Sequence, residues 1–322
     1  MMKLTFNITT SPDDTARFQS PDELVSHMEG FDGVELLCLG GDERGLIKNE
    51  QVIGLHMGFF PYWLDFFNGD EAALTAEFGS LEECERFFGG TDKRALIKSF
   101  ERDLDNAKSY GAEYVVFHVS DAGIGESFTQ RYRHSDEEVI DAALQLLNEL
   151  FDGVQNGPAL LMENLWQPGL TFTRPDMTRR LLDGVEYKNK GIMLDTGHLM
   201  HMDNSLRTQE EALRYINRML DAHGALIKNV RGVHLNQSLT GEYCERMMAA
   251  PPPLAPTYCE RYTQMFYHAF SMDRHLPFTI AGVDGLIKRI APEYLTFEFI
   301  TESRAQHREY LTAQRRALGL LD

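Results

Sequence analysis

Side chains that can bind a metal stand near the ends of several short apolar runs in this sequence. The phrases are VIGLHM (His56), YVVFHVS (His118), ALLMENLW (Glu163), GIMLDTGH (Asp195 and His198), VRGVHLN (His234) and YLTFEFI (Glu298), and the loop phrase DRH adds Asp273 and His275. In a parallel barrel, each buried strand brings the side chain at its carboxyl end to a shared pocket. Taken singly, each residue is more often a buried polar group than a ligand. Nine residues with the same placement favour a metal site.

The donor types narrow the choice of metal. Imidazole and carboxylate ligands together suit zinc, manganese or iron. Asp195 and His198 are three residues apart where a strand ends and turns, and Gly197 permits that turn. Asp273 and His275 are two residues apart, so both side chains face one way in an extended segment. The cysteines form no CxxC pair, which disfavours a closed structural zinc site; they are Cys38, Cys84, Cys244 and Cys259.

The elements that must position these residues alternate along the chain. Eight strands are predicted at 3–9, 33–39, 51–57, 113–119, 159–165, 191–196, 231–236 and 294–300. Stretches with helical period lie between most of them, at 93–110, 136–151, 209–222 and 303–318. This alternation predicts an α/β fold, a (β/α)8 TIM barrel formed as a single domain over residues 1–322. The link over 40–51 is too short for a full helix, and the long link at about 237–293 predicts an insertion on the active face.

Composition excludes some classes of function. The net charge is −18, which argues against broad, sequence-independent binding to nucleic acid and against docking to an anionic membrane. No apolar run has the length of a membrane span. Free thiols without a disulfide framework are typical of a reducing compartment, so we expect a cytoplasmic protein.

The chain resembles the xylose isomerase-like TIM barrels, and within them the endonuclease IV family. The phrases MENLWQPG at 162–169, GIMLDTGH at 191–198, HLNQS at 234–238 and DRH at 273–275 carry the resemblance, together with His56, His118 and Glu298. The resemblance implies a cluster of two or three Zn²⁺ ions, with Mn²⁺ or another divalent metal as the alternative. One ion would be held by His56, His118 and Glu163; a second by Glu163, Asp195, His234 and Glu298; and a third by His198, Asp273 and His275.

Three functions follow from this resemblance. The first is phosphoester hydrolysis by the metal cluster, on abasic DNA or on a small phosphorylated substrate. The second is isomerisation or epimerisation of a sugar or sugar phosphate at one divalent ion, with Glu163 and Glu298 as the catalytic residues that move protons. The third is a barrel that binds metal without catalysis. The residues outside the one-ion set favour the first function, so we predict a phosphoester hydrolase, with the isomerase or epimerase, which the acidic charge favours, as the alternative.

Departures from the endonuclease IV pattern bear on the substrate. Phe59 stands three residues after His56, where the family has tyrosine, and Gly197 replaces the cysteine of the family's DTCH. The gap between His234 and Asp273 is longer than in the family, and Arg44 is a candidate for its DNA-reading loop. These changes leave the substrate open between DNA and a small molecule.

Further residues are candidates for substrate binding. Tyr62 and Trp63 follow His56 closely and could stack on a base or sugar, or pack as part of a helix against the barrel. Trp166 lies within the phrase that contains Glu163. Arg131 could bind a phosphate or belong to a solvated loop.

Overall fold

The strands of this protein close into a barrel. A computed structural model describes residues 1–42 and 45–321. Eight parallel strands hydrogen-bond in chain order, and the last pairs with the first. The strands are β1 (Lys3–Thr9), β2 (Gly33–Leu37), β3 (Val52–His56), β4 (Tyr114–His118), β5 (Ala159–Glu163), β6 (Lys190–Asp195), β7 (Val230–Leu235) and β8 (Tyr294–Phe297). The predicted (β/α)8 barrel is confirmed.

Helices connect the strands, except that the described residues between β2 and β3 form only a 3-10 helix, as the short link over 40–51 predicts. They are α1 (Pro12–Thr15), α2 (Pro21–His27), α3 (Leu64–Asn68), α4 (Glu71–Phe78), α5 (Leu81–Phe88), α6 (Lys93–Tyr110), α7 (Ile124–Thr129), α8 (Asp136–Leu150), α9 (Pro175–Gly184), α10 (Thr196–Met200), α11 (Gln209–His223), α12 (Gly241–Ala249), α13 (Tyr258–Met272), α14 (Val283–Ile290) and α15 (Arg304–Ala317). Short 3-10 helices cover Asn49–Gln51 and Gly224–Asn229. The segment between β7 and β8 carries α12, α13 and α14.

Local sequence sets where the longer helices begin and end. A Ser or Thr precedes each of the helices α8, α11 and α13, and its side chain accepts a hydrogen bond from the backbone N–H of the Glu three residues later. The side chain of that Glu in turn accepts a hydrogen bond from the backbone N–H of the Ser or Thr. Helix α6 ends at Tyr110 and is capped by Gly111, whose φ of 73° is left-handed and suits glycine. Several predicted strands run up to three residues too long, because apolar side chains continue past the last ladder hydrogen bond into the loops.

Alternation along the strands divides their side chains between the barrel interior and the helical layer. Tyr114, Val116, Leu161 and Met193 pack together in the interior. Alternate residues pack in the large core between strands and helices, and Val115, Leu160 and Leu194 are fully buried there. The same alternation points the ligand-type residues inward at the strand ends, so the register that fills the barrel also builds the site.

One interior contact requires glycine. A Cβ added at Gly54 of β3 would lie 2.0 Å from Cζ of Tyr114, an impossible approach. Gly54 therefore leaves space for the Tyr114 ring to cross the middle of the barrel. The Tyr114 hydroxyl reaches Glu35 of β2 at 2.7 Å.

Two histidines form a buried pair between α2 and α15. Nε2 of His27 lies 3.0 Å from Nδ1 of His307, the two imidazole rings stack on each other, and each meets the Phe6 ring edge-on. The other two ring nitrogens of the pair are buried without a hydrogen-bond partner. Burial first, and then nearby arginines, lower the pKa of His27 to about 4; burial and the neighbouring His27 lower the pKa of His307 to about 3. The pair is therefore neutral in the folded protein.

This pair predicts a loss of stability in acid. Both pKa values are below the unfolded value of about 6.5, so below that pH the unfolded chain binds more protons than the folded one. The free energy of unfolding should therefore fall by about 1.4 kcal/mol per pH unit for each histidine, from pH 6.5 down to the folded pKa of about 4 for His27 and about 3 for His307. Urea unfolding of wild type and of the double variant His27→Leu, His307→Leu, with a metal chelator present, measures this slope. An equal slope in the two proteins between pH 7 and 5 would contradict the prediction.

Candidate metal centre

Strand register brings five of the nine predicted ligands to one end of the barrel. His118 of β4 is paired in register with Glu163 of β5, and Asp195 of β6 with His234 of β7. His56 is the last residue of β3. These side chains are buried or nearly so, and Glu163, Asp195 and His234 are fully inaccessible to solvent. Glu298, directly after β8, joins them from the next loop.

The turn after β6 places His198 beside these residues. Asp195 begins helix α10, and its Oδ1 accepts a hydrogen bond from the backbone N–H of His198 at 2.6 Å. Asn164 binds both backbone groups of Asp195 with its side chain, and its own carbonyl lies 2.9 Å from Nδ1 of His198. The phrases MENLW and DTGH are thus joined by one residue, Asn164.

Gly197 stands in this turn because another side chain needs the space. A Cβ at Gly197 would lie 1.9 Å from Oδ1 of Asn236. Asn236 follows β7, and its side-chain amide donates to Asp195 at 2.7 Å. Glycine at this position therefore lets an asparagine orient one of the candidate ligands.

The long segment after β7 returns to the site at its far end. Gln237 and Leu276 exchange backbone hydrogen bonds of 2.8 and 3.0 Å, which tie the DRH phrase to the end of β7. The Ser238 hydroxyl donates to Asp273 at 3.1 Å. His275 has a positive φ of 44°, which is uncommon for a residue other than glycine and often marks a functional position.

All nine residues meet in three groups that match the sets implied by the sequence resemblance. Within each group, one ligand atom per residue lies within 4.8 Å of the others; the groups are His56, His118 and Glu163; Glu163, Asp195, His234 and Glu298; and His198, Asp273 and His275. Glu163 belongs to two groups. His56 Nε2 and His118 Nε2 each lie 3.2 Å from its Oε2, and His234 Nδ1 lies 3.0 Å from its Oε1.

The histidines are oriented as metal ligands would be. A ligand histidine usually donates one ring N–H to a carbonyl or carboxylate, so that the other nitrogen presents its lone pair to the metal. Nδ1 of His56 lies 2.8 Å from the Met57 carbonyl, and Nδ1 of His275 lies 3.2 Å from the Glu298 carbonyl. Nε2 of His234 bonds to the Glu35 carboxylate. In each case the other ring nitrogen faces a carboxylate of one of the three candidate metal-binding groups. These imidazole and carboxylate donors therefore fit divalent metal ions.

Charge in the pocket is shared between crowded carboxylates and histidines. Burial raises the pKa of Asp195 to about 8. His198 opposes this rise in pKa, and the carboxylates of Glu298 and Glu163 add to it. Burial opposes the charged form of His234, but Glu35, Glu298 and Glu163 outweigh it and raise the pKa of His234 well above its usual value. Since metal binding requires unprotonated ligands, it must release protons here, and metal affinity should rise with pH.

Sequence reasoning missed three residues of the site. Glu35 lies in the barrel interior against His234; the signal was a charged residue within the apolar run GVELL. Nε2 of His201 lies 3.2 Å from Oδ1 of Asp273, and its spacing of three from His198 on a helix was visible in the sequence. Asn236 lies within the phrase HLNQS, which carries the family resemblance, but an asparagine after a strand is common and did not single it out.

The predicted substrate-binding residues differ in burial and in distance from the candidate metal centre. Tyr62 and Trp63 are buried, and their polar atoms bind Asp65 and the Ser120 carbonyl. Trp166 packs its ring 5.2 Å from His198, at the edge of the third group. Arg131 is exposed, and Arg44 lies outside the described residues.

An aromatic residue outside that prediction lies beside the site. Phe59 stacks on His118 with ring centroids 5.1 Å apart and keeps 38% of its surface exposed. The substrate roles of Tyr62, Trp63, Trp166, Arg44 and Arg131 stay predictions.

Comparison with known proteins agrees with this architecture. Residues 23–290 match the family described as xylose isomerase-like TIM barrel. The zinc-bound IolI protein is 15% identical, with a TM-score of 0.55 over 99% of each chain. An L-ribulose 3-epimerase is 11% identical, with a TM-score of 0.52 over 99% of this chain and 94% of its own. The 3-keto-D-glucoside 4-epimerase YcjR from E. coli is 13% identical, with a TM-score of 0.50 over 98% of this chain and 100% of its own.

These identities are low enough that the likeness shows the fold alone. A comparison with curated proteins by sequence gave no match. Within the described part of the chain, no helix has the length and apolar character needed to cross a membrane.

The close approach of Asn236 to Gly197 predicts that a side chain at position 197 destabilises the protein. Gly197→Ala would force its Cβ into Asn236, so we expect a loss of about 1–3 kcal/mol in the free energy of unfolding and weaker metal binding. Urea unfolding and metal titration measure the two effects. Gly285→Ala in α14 is the matched control: its Cβ would meet open space, so alanine should stabilise the protein by up to about 1 kcal/mol. Equal behaviour of the two variants would contradict the prediction.

The shared carboxylate predicts a cooperative loss of metal. We expect two or three zinc ions per chain in wild type, counted by mass spectrometry of metals after equilibration with zinc. Glu163→Gln should lose more than one ion, since Glu163 belongs to two groups. Glu113→Gln, at the other end of the barrel beside Lys3, should keep the full metal content. A Glu163→Gln protein with wild-type metal content would remove Glu163 from this role.

Proposed function

This chain belongs to the family of xylose isomerase-like TIM barrels, and we propose that it is a divalent-metal-dependent enzyme that isomerises or epimerises a sugar or sugar phosphate. One observation carries the proposal. Two glutamates, one aspartate and one histidine converge at the carboxyl end of the barrel, where enzymes of this fold have their active sites. These are Glu163, Asp195, His234 and Glu298, called the four-residue group below.

The two glutamates of the four-residue group suit proton transfer. A divalent cation bound there would act as a Lewis acid on a sugar oxygen. Burial opposes ionisation of Glu163, but His234 and His118 hold its pKa well below the usual range; His234 and His275 lower the pKa of Glu298 in the same way. Both carboxylates are therefore ionised and can accept a proton from a sugar carbon or hydroxyl.

Structural neighbours support this reaction class. Two of them are described as epimerases acting on L-ribulose and on a 3-keto-D-glucoside, and the IolI protein binds zinc. The net charge of −18 is also more compatible with a small substrate than with a long nucleic acid duplex. We favour zinc or manganese as the metal, since the donors are imidazole and carboxylate.

Phosphoester hydrolysis is the second candidate, and a specific observation keeps it open. The groups around His118 and around His275 add ligands that a one-ion isomerase does not need. Clusters of two or three metals stabilise the attacking and leaving oxygens of a phosphoester, so a small phosphorylated substrate or abasic DNA would suit the full set. A barrel that binds metal without catalysis is the third candidate.

Two variants separate the candidates. Wild type, Glu298→Gln and His275→Ala are assayed with free ketoses, phosphorylated sugars and abasic-site DNA, each with added zinc or manganese. The proposed isomerase should interconvert sugars, lose about 10²–10⁴-fold in kcat with Glu298→Gln, and remain active with His275→Ala. Cleavage of a phosphoester that both variants abolish would instead establish the hydrolase. Wild type without turnover on any of the three classes would leave the proposed sugar chemistry unsupported and favour the third candidate.

A further inference from the structure

A carboxylate lies deep in the barrel beneath the metal centre. Glu35 is the third residue of β2, and only 1% of its surface is exposed. It accepts hydrogen bonds from the Tyr114 hydroxyl at 2.7 Å and from the Thr296 hydroxyl at 3.2 Å. A buried carboxylate is costly by several kcal/mol, and an apolar residue would fill this interior position of the barrel without that cost. Its presence therefore calls for a role beyond packing.

The third partner of Glu35 is a residue of the four-residue group. Nε2 of His234 lies 2.9 Å from Oε1 of Glu35 and 3.0 Å from Oε2. On the other side of the ring, Nδ1 lies 3.0 Å from Oε1 of Glu163 and 3.3 Å from Oε2 of Glu298. The imidazole thus spans the space between the interior carboxylate and the pocket, with no part of it exposed.

We propose that Glu35 is a positioning residue that holds His234 with its proton on Nε2 and its Nδ1 lone pair directed into the four-residue group. Nε2 of His234 contacts both oxygens of Glu35, and carboxylate oxygens accept hydrogen bonds, so the single proton that His234 keeps when Nδ1 binds a metal would be on Nε2. Without Glu35, the proton would be drawn to Nδ1, where Glu163 and Glu298 accept it, and Nδ1 could not bind a metal. This inference rests on the metal centre of the proposed function.

The surroundings of Glu35 keep it in place. The Tyr114 ring reaches it across the space that Gly54 leaves free. The Thr296 hydroxyl lies 2.8 Å from the Thr5 hydroxyl, so with Tyr114 and Glu35 four strands contribute to one buried hydrogen-bonded layer. A fully bonded layer of this kind fixes the carboxylate oxygens and, through them, the plane of the His234 ring.

Metal affinity tests this role. Apo wild type, Glu35→Gln, Glu35→Leu and Thr296→Val are titrated with zinc against a chromophoric chelator at one pH, and the unfolding midpoint of each apo protein is measured alongside. We expect Glu35→Gln and Glu35→Leu to weaken zinc binding by about 10–100-fold, leucine more than glutamine. Thr296→Val removes a donor to Glu35 but leaves the contact with His234, so its zinc affinity should stay within a few fold of wild type.

The outcomes are distinct. Glu35 variants that bind zinc as tightly as wild type, with or without a lower unfolding midpoint, would overturn the inference and leave a structural role. Wild type that binds no zinc or manganese would instead overturn the metal centre itself. If the variants do not fold, long-range ¹H–¹⁵N spectra of zinc-loaded wild type decide the question, with His234→Asn used for assignment. A proton on Nε2 of His234 supports the inference, and a proton on Nδ1 overturns it.

Discussion

The rest of this structure depends on how several acidic side chains are kept close together away from water. Glu163, Asp195, Asp273, Glu298 and Glu35 are all buried or nearly so around the same pocket. Isolated buried carboxylates would cost several kcal/mol each, and their mutual repulsion would add to that cost. The pocket offsets it with an almost equal supply of imidazoles, each within hydrogen-bond or ion-pair distance of a carboxylate. Such an arrangement is also ready to exchange protons for divalent cations.

Alternation of side chains along the parallel strands places both the ligand-type residues and the residues that fill the barrel interior. Because Tyr114, Val116 and His118 occupy alternate positions of β4, the strand that presents a ligand at its end also fills the interior below it. The interior is not uniformly apolar. A buried hydrogen-bonded layer around Glu35 connects the packed base of the barrel to the ligands above, so the geometry of the pocket is fixed from beneath as well as from the loops.

The loops complete what the strands begin. Asn164 and Asn236 each follow a strand and each bind Asp195, one through its backbone and one through its carboxylate. The long segment after β7 returns to the pocket with its DRH phrase, and Leu276, directly after that phrase, pairs with Gln237 just beyond the end of β7. The third group therefore belongs partly to the insertion, so this barrel places a second cluster of ligand-type side chains, from a loop, beside the one that its strand ends provide.

The sequence by itself predicted the barrel and the nine ligand-type residues that the structure brings together in the candidate site. Apolar runs ending in ligand-type residues identify both the strands and the end of the barrel at which they meet, since period-two alternation and strand polarity are local properties of the chain. The division of the nine into three groups came from the family resemblance, and the described structure reproduces it. Only the tertiary structure revealed the contact between Glu35 and His234, the contact of His201 with Asp273, and the reason for glycine at 197. Each of these depends on a distance between residues far apart in the chain, such as Glu35 and His234, and no local pattern encodes such a distance. The structure also shows that the polar atoms of Tyr62 and Trp63 bind protein partners. The sequence could not show this, because an aromatic run looks the same whether it lines a pocket or packs against helices.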